Sequence, residues 1–136
     1  MKNRYIVLAV LLFCGCGNHT VGYLMTQDAA YVPDSLVVKS VLDAEEDAHR
    51  IKFGIPWQSV HMEGVQGTMP VRYRIKKVES DHGKVGFADE FSMTGKGVVE
   101  LPYDHTVPVG RYEISLIIEN EGYRHEIDSM LTVIVL

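Results

Sequence analysis

Hydrophobic and polar residues alternate with a period of two in several segments of the chain. The clearest cases are segments 70–80 and 111–120. Their apolar positions are predicted to share one face and are Val71, Tyr73, Ile75, Tyr112, Ile114, Leu116 and Ile118. The intervening positions of the first segment are basic: Arg72, Arg74 and Lys76. A period of two indicates β-strands with one face buried and the other in water, and Ile117 departs from it in the second segment.

Shorter segments of the same kind lie on either side of these two. They are residues 35–41, 48–53, 57–62, 86–93 and 97–101, and a β-branched run follows within residues 123–136. The turn at 120–122, Asn-Glu-Gly, predicts a hairpin with Gly122 at a positive φ. Only residues 43–47 are predicted to be helical, for about one turn. Seven or eight short strands without a longer helix predict an all-β fold, a β-sandwich.

The first residues of the chain have a different composition. Lys2 and Arg4 come before an apolar run of nine residues, 5–13. A helix of nine residues is about 14 Å long, whereas the hydrocarbon core of a bilayer is about 30 Å thick. The run is therefore too short for a transmembrane helix, and it predicts a cleaved secretory signal peptide.

The residues at the end of this run, Phe13-Cys14-Gly15-Cys16, resemble the lipobox of bacterial lipoproteins. In that family a small residue precedes the cysteine that receives the lipid and becomes the new N-terminus. The resemblance implies lipid attachment at Cys16, because small Gly15 precedes it while bulky Phe13 precedes Cys14. The alternative is an ordinary secretory signal followed by two incidental cysteines.

The lipobox resemblance also implies a domain organisation and a location. We expect residues 1–15 to be the signal peptide, residues 16–30 to be the lipidated N-terminus with a flexible tether, and residues 31–136 to fold. The partner implied at the N-terminus is a membrane, reached through the lipid. The expected location is the bacterial cell envelope, on the outer membrane, and the residues do not distinguish its two faces.

A second resemblance concerns the predicted strands. Residues 108–116 read P-V-G-R-Y-E-I-S-L, the Asn-Glu-Gly turn follows, and residues 131–135 read L-T-V-I-V. This order is similar to the last two strands of bacterial Ig-like and cadherin-like surface domains, and residues 67–75 resemble the opening of a middle strand. The resemblance implies an Ig-like β-sandwich of about seven or eight strands. In such a domain we expect the Tyr112 hydroxyl to form a tyrosine corner.

Charge and motif content exclude several classes of function. The chain has 13 Lys and Arg against 18 Asp and Glu, so its net charge is −5, and it lacks the basic stripe of a nucleic-acid-binding protein. Its six histidines have no metal-ligand spacing. The sequence has no nucleophile elbow and no phosphate-binding glycine loop. We therefore expect no enzymatic activity, no metal and no cofactor.

Aromatic residues in predicted loops are the remaining candidates for ligand contact. Trp57, Tyr103 and Tyr123 could present rings to the apolar faces of sugars, or Trp57 could cap the core while the tyrosines pack on the surface. Two functions stay open. One is a non-enzymatic, membrane-anchored accessory or protein-interaction module that binds an envelope protein. The other is a small cell-surface glycan-binding lipoprotein whose partner is a polysaccharide.

Overall fold

Nine strands and two short helices form the regular structure of residues 22–81 and 87–136, the part of the chain that the computed structural model describes. The strands are β1 (Leu24–Met25), β2 (Ser35–Val38), β3 (Trp57–Gln58), β4 (Gln66–Gly67), β5 (Arg72–Ser80), β6 (Ser92–Thr94), β7 (Val98–Leu101), β8 (Gly110–Glu119) and β9 (Arg124–Val135). The helices are α1 (Ala48–Phe53) and a 3-10 turn (Ala88–Glu90).

The longer strands form two sheets that face each other. The larger sheet has the order β2-β9-β8-β5, in which β2 runs parallel to β9 and the other neighbours are antiparallel. The smaller sheet, β3-β7-β6, is antiparallel, and β1 pairs separately with β4. The prediction of an all-β sandwich is confirmed, with β1 and β4 raising the strand number to nine.

The core lies between the two sheets and receives one face of each long strand. The apolar face predicted for segment 111–120 is buried and consists of Tyr112, Ile114, Leu116 and Ile118. It meets the buried residues of β7 and β9 in one continuous cluster, which includes Val99, Leu101, Leu131, Val133 and Val135. The alternation in the sequence therefore identifies the inward face of β8 correctly.

The outward face of the larger sheet is covered by ion pairs. The Arg74 Nε atom lies 2.9 Å from a Glu119 oxygen, and Lys76 Nζ lies 3.1 Å from Glu126. Ile117 pairs with Arg74 on one side and Glu126 on the other, and only 5% of it is exposed. Long charged side chains can cover apolar surface with their stems. An apolar residue can therefore occupy position 117 on the outward face, because the side chains of Arg74 and Glu126 cover it. The basic residues predicted to face solvent, Arg72, Arg74 and Lys76, are exposed.

Residues 48–53 form α1 rather than the predicted strand. Asp43 Oδ1 accepts hydrogen bonds from the backbone N–H groups of Glu45 and Glu46 at 2.8 and 2.9 Å, which organises the turn before the helix. The helix ends at Gly54, whose φ of 60° is left-handed. No residue of α1 is buried, so the helix is defined by its ends rather than by an apolar face. The 3-10 turn lies within another predicted strand, 86–93.

The folded domain begins earlier than the predicted residue 31. Strand β1 pairs with β4, and the side chain of Leu24 belongs to the core cluster. Ala30 and Glu63 also exchange backbone hydrogen bonds of 3.0 and 2.8 Å. The prediction of a flexible tether over residues 16–30 is therefore wrong for residues 24–30, because Leu24 packs into the sandwich.

Tyr112 forms the tyrosine corner that the resemblance implies. Its hydroxyl donates a hydrogen bond of 2.8 Å to the carbonyl oxygen of Pro108, four residues upstream. The ring is 4% exposed and packs near Phe91, with 6.2 Å between the ring centroids. Burial raises the pKa of the Tyr112 phenol. The bond ties the loop that precedes β8 to the core.

Replacing Tyr112 with phenylalanine is expected to lower the free energy of unfolding by about 1 kcal/mol, because the Pro108 carbonyl loses its phenol donor. Urea denaturation of the Tyr112→Phe variant measures this change. Tyr103→Phe is the matched control, since the Tyr103 hydroxyl has no hydrogen-bond partner within the described residues. Equal stability of Tyr112→Phe and the unsubstituted protein would contradict the role of the corner.

Candidate functional site

The predictions from the sequence that concern membranes fall on the N-terminal residues. The predicted signal peptide (residues 1–15) and Cys16, the predicted site of lipid attachment, both lie outside the residues that the structure describes. Within residues 22–81 and 87–136 no helix has the length and apolar character needed to cross a bilayer. The attachment of a lipid at Cys16 therefore stays a prediction.

Trp57 is packed against the core rather than presented to a ligand. It lies in β3, is partly buried, and contacts the core cluster. The guanidinium of Arg50 lies 3.8 Å from the centroid of its ring, and Arg50 also donates hydrogen bonds of 2.9 and 2.8 Å to the carbonyl oxygens of Ile55 and Pro56. The indole N–H is buried and has no hydrogen-bond partner within the described residues. The contact with Arg50 leaves no open ring face on that side for a sugar.

Tyr103 and Tyr123 lie at opposite ends of the larger sheet. The Tyr103 loop is joined to the end of β2 by His105, whose Nε2 atom lies 2.9 Å from the Lys39 carbonyl oxygen. Tyr123 follows the far end of β8, where its hydroxyl donates to the carbonyl oxygen of Gly22 at 3.1 Å. The ten residues of β8 span about 30 Å between these ends. The structure brings Trp57 and Tyr103 to one end of the domain and does not bring Tyr123 to them.

We call the end of the sheet at which β2 and β9 finish and β8 begins the tip. Four apolar side chains are exposed there, with relative exposures of 49% for Val37, 81% for Val41, 61% for Val109 and 63% for Leu136. The segments that carry them lie side by side, because Ser40 N–H donates to the Leu136 carbonyl at 2.7 Å and Gly110 pairs with Val135. With Ile134, which pairs with Val37, they form a surface that we call the tip patch.

The lysine next to the tip patch is paired within the domain. Lys39 Nζ lies 2.9 Å from Asp47 and 3.3 Å from Glu46. The hydrogen bond from Lys39, together with that from the Asp43 backbone N–H, holds the pKa of the Asp47 carboxyl below its usual range. The tip patch is therefore bordered by the paired Lys39 and by the exposed Arg111, which is the cross-strand neighbour of Ile134.

A groove of about 660 Å³ lies at the other end of the domain. One wall is the flap formed by β1 and β4, the other is the turn between β6 and β7, and Tyr73 of β5 lines the groove between them. Ligand-binding clefts in proteins commonly have volumes of about 300–1,000 Å³. We call this feature the flap groove. Its side-chain lining is mixed and includes Tyr23, Met62, Gln66, Met69, Tyr73 and Lys96.

The polar groups of the flap groove are not used by the fold. Within the described residues, the hydroxyls of Tyr23 and Tyr73, the Gln66 amide and the Lys96 ammonium have no hydrogen-bond or ion-pair partner. Burial raises the pKa of the Tyr73 phenol, so this group keeps its proton at neutral pH and can donate. Sequence reasoning missed the groove, because Tyr23 lies in the predicted tether and Tyr73 in the predicted core.

No clustering of metal ligands accompanies either surface. In the part of the chain that the structure describes, no group of three or more His, Cys, Asp or Glu side chains is placed to hold a metal ion. Comparison with known proteins identifies no relative: no protein-family model, no curated protein and no solved structure matches this chain. The candidate sites therefore follow from the geometry of this chain alone, and they are the tip patch and the flap groove.

Proposed function

We propose that this protein is a non-enzymatic envelope lipoprotein, anchored to a membrane through Cys16, whose β-sandwich acts as an accessory module that binds another envelope protein. The tip patch is the observation that carries the proposal, because contiguous exposed apolar surface marks protein–protein contact sites. The patch contains Val37, Val41, Val109, Ile134 and Leu136, and the adjacent Lys39 is paired. Because Lys39 is already paired with a carboxylate, covering the patch with a partner does not leave the Lys39 charge uncompensated.

The position of the tip patch relative to the proposed anchor supports the same function. Gly22 lies at the end opposite the tip, where Tyr123 contacts it. Six residue steps separate Cys16 from Gly22, and an extended chain of that length spans at most about 20 Å. An anchor at Cys16 would keep the Gly22 end close to the membrane and direct the tip patch away from it, where a partner can reach it.

Site-specific photo-cross-linking in cells tests the proposed interaction. Benzoylphenylalanine replaces Val41 or Val109 in the tip patch, and Val60 serves as the control because it is apolar and 39% exposed but lies in another loop. We expect discrete cross-linked species from the two tip positions and not from position 60. Adding Val37→Asp, which places a charge in the patch, is expected to abolish them. Cross-links of equal yield at all three positions, or none at the tip, would overturn the proposal.

Glycan binding is the second candidate function, and the flap groove is the observation that favours it. Two tyrosine rings, Tyr23 and Tyr73, line the groove together with polar groups that have no partner in the described part of the fold. This support is separate from Trp57, Tyr103 and Tyr123, which do not form a common surface. A glycan-array screen of the full chain discriminates between the candidates, because variants of the tip patch should not alter glycan binding.

A further inference from the structure

The flap groove is held open by hydrogen bonds in both of its walls. Tyr23 and Thr68 exchange two hydrogen bonds, of 3.1 Å to the Thr68 hydroxyl and 3.0 Å to the Tyr23 carbonyl. In the opposite wall, the Lys96 carbonyl accepts a hydrogen bond of 3.0 Å from the Met62 backbone N–H, and the Tyr31 hydroxyl donates to the Gly97 carbonyl at 2.5 Å. The groove is thus formed before any ligand arrives, which reduces the entropy lost on binding.

The solvent exposure of the residues that line the flap groove limits the classes of ligand that the groove can bind. Tyr23 is 49% exposed and Met69 at the rim is 76% exposed, so a bound molecule keeps one side in water. A hydrocarbon chain gains little from a site that leaves it half solvated, because hydrophobic stabilisation scales with the apolar area removed from water. A sugar ring suits the groove, since one apolar face can contact the aromatic rings while its hydroxyls stay hydrated or bond to polar groups.

The positive charge of Lys96 indicates a second property of the ligand, a negative charge. Lys96 is the one charged side chain among the described lining residues, and no carboxylate lines the groove with it. The residue lies between Gly95 and Gly97, both at positive φ, in the turn that joins β6 to β7. An ammonium beside hydrogen-bonding groups is complementary to an anion, and charge-assisted hydrogen bonds are about twice as strong as neutral ones.

We propose that the flap groove binds an oligosaccharide that carries carboxylates, of the hexuronic acid class, with Tyr23 and Tyr73 contacting the sugar and Lys96 pairing with a carboxylate. The inference rests on the second candidate function and is independent of the tip patch. Tyr73 of β5 and the Gln66 amide of the flap would supply hydrogen bonds to hydroxyl groups from two sides of the groove.

Isothermal titration calorimetry of the full chain with matched oligosaccharides tests this assignment. The probes are uronic acid hexamers of galacturonate, glucuronate and mannuronate, each compared with its methyl ester, which has the same rings without the charge. We expect at least one acid hexamer to bind with about tenfold higher affinity than its ester at low salt. The difference should shrink as ionic strength rises, because salt screens an exposed charge pair.

Substitutions in the groove identify the residues responsible. Lys96→Gln is expected to weaken binding of the acid hexamer about tenfold and to leave the affinity of the ester unchanged. Lys52→Gln, which removes an exposed lysine of α1 outside the groove, is the matched control and should have no effect. Tyr23→Ala should weaken both probes, whereas Tyr103→Ala should weaken neither. Circular dichroism melting of each variant confirms that the fold is retained.

The outcomes of these titrations distinguish carboxylate recognition by the flap groove from glycan binding in general and from protein binding at the tip patch. Tight binding of esters and acids alike, unaffected by Lys96→Gln, would overturn the carboxylate assignment while supporting glycan binding. Absence of binding to every hexamer, or binding of decanoate in their place, would overturn both the assignment and the glycan candidate. Neither result bears on the cross-links expected at the tip patch.

Discussion

Replacing Ile114 with alanine is expected to lower the free energy of unfolding by about 2–5 kcal/mol. Ile114 is fully buried in β8, as is Leu116 two positions later, and both face the smaller sheet through the core cluster. Truncation removes apolar atoms from contact and leaves a cavity that close-packed neighbours fill only partly. Leu116→Ala should therefore show a loss of the same order, and Val133→Ala a smaller loss. Chemical denaturation of each variant measures it.

The control for this prediction lies on the outward face of the same sheet. Arg72 is exposed in β5 and has no ion-pair partner within the described residues, so Arg72→Ala should change the free energy of unfolding by about 0.5 kcal/mol or less. Arg74 and Lys76, although paired, are surface residues whose ion pairs contribute little individually. Equal losses at Ile114 and Arg72 would mean that the inward and outward faces have been assigned the wrong way round.

Replacing Cys16 with alanine is expected to move the protein from the membrane fraction to the soluble fraction. The lipobox resemblance predicts that Cys16 carries the lipid, and stable anchoring needs more than one acyl chain, because a single chain binds only marginally. Cell fractionation with immunodetection measures the shift, and mass spectrometry of the mature N-terminal peptide identifies the modified cysteine.

Cys14→Ala is the matched control for the anchoring experiment, because the residue before Cys14 is Phe13 rather than a small residue. This variant should remain in the membrane fraction with an unchanged N-terminal mass. A Cys16→Ala protein that still fractionates with membranes would contradict lipid attachment at this position, as would a mature chain that begins with an unmodified residue.

Alternation in the sequence predicts the long strands well, because successive side chains of a strand point alternately into the core and into solvent. The buried residues Tyr112, Ile114, Leu116 and Ile118 of β8 face the opposite sheet, so the period of two in residues 111–120 follows from the fold. The hairpin that follows is also confirmed, although Gly122 does not have a positive φ. The Asn120 side chain forms the turn, accepting hydrogen bonds from the N–H groups of Gly122 and Tyr123 at 3.2 and 3.0 Å.

Short elements are predicted less well because other interactions outweigh their local pattern. Residues 48–53 place apolar side chains at alternate positions, yet Ile51 and Phe53 are exposed on α1. The signals that could have identified this helix are its ends, Asp43 in the preceding turn and Gly54 after the last residue. Leu24 falls within the predicted tether because two paired residues are too few to produce a period.

Neither candidate site could be read from the sequence, since each is assembled from distant segments. The flap groove joins Tyr23, Gln66, Tyr73 and Lys96, which come from four strands or turns. The tip patch joins the ends of β2 and β9 to the start of β8, which are far apart along the chain. Pairing of strands decides which side chains become neighbours, and a single sequence without relatives does not reveal that pairing.

The parallel pairing of β2 with β9 also determines at which stage of folding the larger sheet can be completed. Ser35 pairs with Thr132, so residues 97 positions apart along the chain must meet before this edge of the larger sheet exists. Folding rates fall as contacts become less local, and sandwiches dominated by distant pairings fold in milliseconds to seconds rather than microseconds. A chain synthesised from its N-terminal end therefore cannot complete this sheet until β9 has been made. Until then the apolar face of β2 stays exposed to proteases and chaperones.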